Sequence, residues 1–108
     1  MKKLEVVKSK RDFNDIIQNA PFKKNQSFVI YIRKKEEEKN HFGIAVSKKL
    51  GNAVTRNKLK RQVRAILDEE KINFPNHRDY IIMIKKSCVG LSFSKMQNDL
   101  ENLIKEIK

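Results

Sequence analysis

A chain of 108 residues has room for one domain with one modest core, residues 1–108. Its 25 Lys and Arg against 13 Asp and Glu leave a net charge of +12 and a pI near 10.0, a self-repelling field that points to a polyanionic partner, nucleic acid first. A hydrophobic content of 39% argues against a disordered tail, and no apolar run is long enough to span a membrane.

Residues 1–8 read as a short basic lead-in, whose apolar part is broken by Glu5 and is too short for a signal peptide. Ser9, with Asp12 three residues on, is placed to cap a helix. Its apolar positions Phe13, Ile16, Ile17 and Ala20 follow i, i+3, i+4, i+7, a single stripe, and Pro21 closes it. Residues 26–33 alternate as a strand, with Phe28, Ile30 and Ile32 on one face and Val29, Tyr31 and Arg33 on the other. The sequence KKEEEKN at 34–40 reads as a solvated connection. A second strand follows at 41–48, and the short link predicts that the two strands pair as an antiparallel hairpin. In this second strand Phe42, Ile44 and Val46 alternate with the small residues Gly43, Ala45 and Ser47. The small face has two readings, a surface where a helix packs closely or a groove floored by Val29 and Tyr31.

The stretch 47–64 carries the cations Lys48, Lys49, Arg56, Lys58, Lys60, Arg61 and Arg64 and no acid, and three acids follow at Asp68, Glu69 and Glu70. After the break at Gly51-Asn52, Asn52 is a good N-cap for a helix running to about Glu70. At 100° per residue Leu59, Val63, Ile66 and Leu67 form its buried side. Arg56, Lys60 and Arg64 line up beside them at i, i+4, i+8, and Asn57 and Arg61 widen that stripe. Residues 71–78, with Pro75, form a loop, and DYIIMIK at 79–85 reads as a central strand. A turn holding Gly90 precedes a last helix, opened by a capping box of Ser94 and Gln97 and carrying Met96, Leu100, Leu103, Ile104 and Ile107. The order α-β-β-α-β-α predicts an α+β fold, a two-layer α-β sandwich with a small mixed sheet.

For chemistry the side chains are thin. His41 and His77 lack a second histidine or a cysteine at ligand spacing, so no zinc site is expected. Cys88, the only cysteine, cannot form an internal disulfide, which suits a cytoplasmic protein, and it has no evident activator. No catalytic constellation is expected. The basic helix is a better lead. Arginine pairs bidentately with phosphate, and a solvated helix would mix its charges for i, i+4 pairing, which this face does not. Contacts to backbone and RNA shape, rather than a base code, are the expected mode.

The pattern Lys49-x-Gly51-Asn52-Ala53-Val54-x-Arg56-Asn57-x-x-Lys60-Arg61-x-x-Arg64 resembles the signature of the bacterial ribonuclease P protein subunit. FGIAVSKK before it, DYIIMIK after it and the N-terminal RDF match as well, so the resemblance covers nearly the whole chain. It implies a β-α-β crossover of left-handed sense, against the common rule. It implies two partners, a catalytic RNA subunit and precursor tRNA, with no membrane and no small-molecule substrate. The RNA would carry the chemistry with magnesium, cleaving the 5′ leader from precursor tRNA, while the protein alone would not be catalytic. By position, Arg56, Asn57, Lys60, Arg61 and Arg64 would face the catalytic RNA. Phe13, Ile17, Tyr31, Lys48 and Lys49 would line or flank a groove for the leader, with aromatic faces for stacking. Some relatives have an aromatic residue where this chain has Ile17, so one stack would be lost there. The rival expectations are a general RNA-binding or ribosome-associated module, which gives no reason for the fixed Gly51-Asn52 and Arg56-Asn57 pairs, and a stand-alone nuclease, for which an acid or histidine cluster is missing.

Overall fold

In the computed structural model, which describes residues 6–7 and 9–107, Ser9 caps the first helix as its spacing predicts. Its hydroxyl accepts from the Asp12 amide at 3.3 Å, and helix α1 runs over Lys10–Asn19. Ala20, before Pro21, has turned to extended backbone with ψ 148°, which ends the helix there. Apart from Val6 and Val7, the basic lead-in lies outside the described residues.

Four strands follow, β1 (Phe22–Lys24), β2 (Phe28–Lys34), β3 (His41–Val46) and β4 (Arg78–Ile84), in the sheet order β1-β2-β4-β3. The first of these, only three residues long, adds a strand to the predicted order. The predicted hairpin does not form. β2 and β3 do run in opposite directions, but β4 lies between them, antiparallel to β2 and parallel to β3. The cause is the composition of β4, in which Tyr80, Ile81 and Ile82 are all fully buried, so that both faces and both edges need covering. Neighbouring strands lie roughly 4.8 Å apart, so the link from Lys34 to His41 easily steps over one of them.

That link is solvated over residues 36–39, as predicted, but it is tied down at both ends. Asn40 accepts from the Arg78 amide and donates to the Pro75 carbonyl, and the His77 amide donates to the Glu38 carbonyl. Lys35 turns inward to Asp79, with Nζ 2.6 Å from Oδ1.

After β3, Ser47 caps a 3-10 turn at Lys48–Leu50, so the strand ends two residues earlier than predicted and Lys48 and Lys49 sit on the turn. Asn52 then caps helix α2 (Ala53–Glu70), its Oδ1 accepting from the Thr55 amide at 2.9 Å. α2 carries the chain from β3 to the parallel strand β4. Helix α3 (Phe93–Ile104) is capped by Ser92 rather than by the predicted Ser94, because the Ser92 hydroxyl reaches the Lys95 amide at 3.1 Å. Ser94 thereby falls inside the first turn.

One sheet face holds the core. Phe28, Ile30, Phe42, Tyr80, Ile82 and Ile84 meet Leu59, Val63, Ile66 and Leu67 of α2 and Met96, Leu100, Leu103 and Ile104 of α3. Each such side chain contributes on the order of 1.5–3 kcal/mol on burial. A buried polar link ties α3 to the start of β2, where the Ser27 hydroxyl donates to Asp99 Oδ2 at 2.5 Å and Lys95 Nζ lies 2.9 Å from Oδ1. The Cys88 thiol, fully buried, donates to the Ser27 carbonyl, which gives that cysteine a packing role. The opposite sheet face belongs to α1.

Candidate nucleic-acid interface

On α2 the apolar stripe holds the helix to the core and thereby sets where the cations point. Leu59, Val63, Ile66 and Leu67 are its buried residues, as the spacing predicts. Asn57, Arg61 and Arg64 are exposed, while Arg56 and Lys60, nearer the core stripe, are half-buried. Burial reaches the Arg56 Nε, which has no hydrogen-bond partner. Among the described residues no ion pair joins an acid to Arg56, Lys60, Arg61 or Arg64. The acids Glu69 and Glu70 lie at the far end, about 21 Å along the axis from Arg56 at ~1.5 Å per residue. There Glu69 accepts from Gln97 of α3 and Glu70 from Asn73, so these two acids secure the end of α2.

The second surface is the sheet face under α1. Register defines it, because residues paired across strands share a face. Phe22, Tyr31, Ile81 and Gly43 form one row across all four strands, and Lys24, Val29, Met83 and Ala45 form the next. Along the first row α1 comes down on the sheet. A Cβ built at Gly43 would stand 2.7 Å from Phe13 Cε2 and 2.7 Å from Ile81 Cδ1, so only glycine admits the ring. Along the second row Val29, Met83 and Ala45 stay half-exposed. Both readings of the small face therefore hold, in different places: close packing at Gly43 and an open apolar floor at Ala45. Ile17, one turn after Phe13, is half-buried on the same flank of α1. Lys48 and Lys49, both exposed, stand where β3 leaves the sheet.

An ionic network positions the α1 wall. Asp79 is 4% exposed and takes Arg33 Nη2 at 2.6 Å on one oxygen and Lys35 Nζ at 2.6 Å on the other. Arg33 Nη1 reaches on to Asp12 and Asp15 of α1, both at 3.5 Å. Burial pushes the Asp79 carboxyl upward, but the hydrogen bonds from Lys35 and Arg33 outweigh it and hold the group below its ordinary value. The same bond to Asp79 raises the Arg33 guanidinium. Sequence reasoning missed this network. Arg33 and Asp79 are 46 positions apart, and their facing charges become visible only once β2 and β4 are paired. It also missed Phe22 and Met83 as residues of this sheet face left open beside α1; the signal for Phe22 was an aromatic residue just after Pro21.

The arrangement can bind and stack. His41 is engaged by Lys35 at 2.5 Å and lies 3.4 Å from Asp79, and His77 bonds the Glu36 carbonyl in an exposed turn. Burial pushes the Cys88 thiol up, away from the reactive thiolate. Among the described residues no three His, Cys, Asp or Glu side chains gather to hold a metal ion, and no helix is long and apolar enough to cross a membrane.

Comparison with known proteins agrees over the full length. The family model described as Ribonuclease P matches residues 1–108. A ribonuclease P protein component of Mycoplasma capricolum is 42% identical over 109 residues, covering 100% of both chains. One from Bacillus cereus is 35% identical over 106 residues, covering 97% of this chain and 92% of its own length. Among solved structures, the RNase P protein from Thermotoga maritima superposes with a TM-score of 0.86 at 32% identity, over 96% of this chain and 98% of that one. With a basic helix, a half-open sheet face and a match that runs from end to end, the chain belongs to the ribonuclease P protein family.

Proposed function

We propose that this chain, a protein subunit of ribonuclease P serving tRNA 5′-end processing, binds two RNAs on two surfaces. Arg56, Asn57, Lys60, Arg61 and Arg64 of α2 grip phosphates of the catalytic RNA. The sheet face beside α1 takes the single-stranded 5′ leader of precursor tRNA. There Phe13 and Tyr31 offer rings to bases, Ile17 gives apolar contact, and Lys48 and Lys49 meet the backbone. The observation that carries this reading is the cluster of the cations Arg56, Lys60, Arg61 and Arg64 along one side of α2, within a family match over residues 1–108.

Cleavage of the phosphodiester is assigned to the RNA subunit, with magnesium held there. The protein's contribution is to hold the leader against a charged surface and so add binding energy to the precursor that the mature product lacks. Such work belongs in the cytoplasm. A general RNA-binding module is the less favoured reading, because it leaves the full-length family match without a reason.

The test is reconstitution: purified protein is added to the catalytic RNA at low magnesium and cleavage of precursor tRNA is followed. Stimulation is expected, and its absence would sink the reading. Equal affinity for duplex RNA and for leader-bearing precursor would favour the general module, and cleavage by the protein without RNA would establish a nuclease of its own.

A further inference from the structure

We infer that Phe22, on the edge strand β1, is a further leader-contacting residue, stacking on a base at the end of the groove remote from the basic helix. The inference rests on the leader reading of the groove and adds to it a residue and a direction.

Phe22 pairs with Tyr31 in the β1–β2 register, so both side chains stand on the α1 face of the sheet. Their ring centroids are 5.6 Å apart, with planes inclined by 55°. Packing alone does not account for Phe22, which remains 51% exposed while Phe28, Phe42 and Phe74 are at most 3% exposed. A lone exposed apolar residue needs no explanation. This one ends the row Phe22–Tyr31–Ile81–Gly43, whose other end lies under the ring of Phe13. The neighbouring position on the same face of β1 is cationic, Lys24. Aromatic faces beside cations are the combination that holds single-stranded RNA.

The open row beside it, Lys24–Val29–Met83–Ala45, crosses three inter-strand gaps, about 14 Å in all, the length of roughly four nucleotides in a stacked strand. Its two ends differ. β3 leads through Lys48 and Lys49 directly into α2, the side assigned to the catalytic RNA. β1 is the opposite edge of the sheet. A leader entering beside β3 therefore reaches Phe22 last, with the nucleotides farthest from the cleavage point. Phe22 also supplies a third ring, beside Phe13 and Tyr31, to a groove whose position 17 is aliphatic.

The test uses the holoenzyme and precursor tRNAs with leaders of one and of eight nucleotides. With Phe22→Ala, the preference for the long leader over the short one should fall roughly 5- to 150-fold, the range for removal of one base–aromatic stack. Phe22→Tyr should keep the preference, and Phe22→Leu, apolar but without a π face, should lose it. The chain has no tryptophan, so Phe22→Trp gives a single fluorescent reporter, quenched by the long leader and not by the short one. If Phe22→Ala weakened both substrates equally, the residue would be structural and the inference overturned. If Phe13→Ala and Tyr31→Ala lowered the preference while Phe22→Ala did not, the inference would fail and the groove reading would stand. If none of the three mattered, the groove reading itself would fall and the inference with it.

Discussion

The ring of Phe13 occupies the space that a side chain at Gly43 would fill, with Cε2 2.7 Å from the position of the missing Cβ. This contact sets the depth at which α1 rests on the sheet, and therefore the height of the groove wall above Val29, Met83 and Ala45. Gly43 is needed for room, not for an unusual backbone, since its φ is not among the positive ones. Gly43→Ala should cost about 1–3 kcal/mol through overpacking, seen as a lower midpoint in urea with an unchanged slope. The displaced ring should also weaken binding of leader-bearing precursor more than binding of mature tRNA.

Replacing Arg56, Lys60 and Arg64 together by Ala should separate binding from folding. These positions flank the apolar stripe without belonging to it, so effects on stability should be small, about 0.5 kcal/mol at the exposed Arg64 and somewhat more at the half-buried Arg56 and Lys60. Affinity for the catalytic RNA should drop sharply. The slope of log K against log salt should become shallower by roughly 0.7–0.9 for each phosphate that is no longer neutralised, measured by a titration at several salt concentrations.

Asp79→Asn removes the charge from a carboxylate that is 4% exposed and holds Arg33 and Lys35. Because the Arg33 and Lys35 side chains keep 32% and 17% of their exposure, the loss should be smaller than the roughly 3–5 kcal/mol of a fully buried pair. The anchor from Arg33 to Asp12 and Asp15 should loosen with it, so leader affinity should fall even under conditions where the variant is folded. Thermal melts and precursor binding on the same sample would separate the two effects.

Acid should act through the same group. The folded Asp79 carboxyl titrates below its unfolded value of roughly 3.9, and Asp99, held by Ser27 and Lys95 against its own burial, is shifted the same way. Both groups favour the fold in their charged form. Their stabilisation is complete above the unfolded value and is lost as pH falls through the lower folded values. Melting temperatures should therefore decline below about pH 4, and Asp79→Asn should flatten that decline.

Cys88 should be silent to thiol reagents. It is fully buried, donates to the Ser27 carbonyl at 3.2 Å and has a raised thiol. An aromatic disulfide reagent at mild alkaline pH should label it only at the rate of unfolding, and addition of urea past the midpoint should release the full equivalent.

Whatever depends on near neighbours is legible in the amino-acid order alone. Ser9 and Asn52 cap their helices because a side-chain oxygen there reaches an amide three residues on, and Leu59, Val63, Ile66 and Leu67 are buried because the helical repeat puts them on one side. The basic face of α2 follows from the same repeat, and the alternation of Phe28–Ile32 and Phe42–Val46 correctly separated the core face of the sheet from the opposite one. Which strands pair was beyond it. Every strand edge offers the same amide and carbonyl groups, so the place of β4 between β2 and β3 was decided by the demand of its fully buried residues for cover on all sides. The Arg33–Asp79 link, the seat of Phe13 on Gly43 and the approach of Phe22 to Tyr31 all follow from that pairing and from the added strand β1. Local periodicity assigned each side chain its face, whereas the partner standing opposite it came from the packing of the whole sheet.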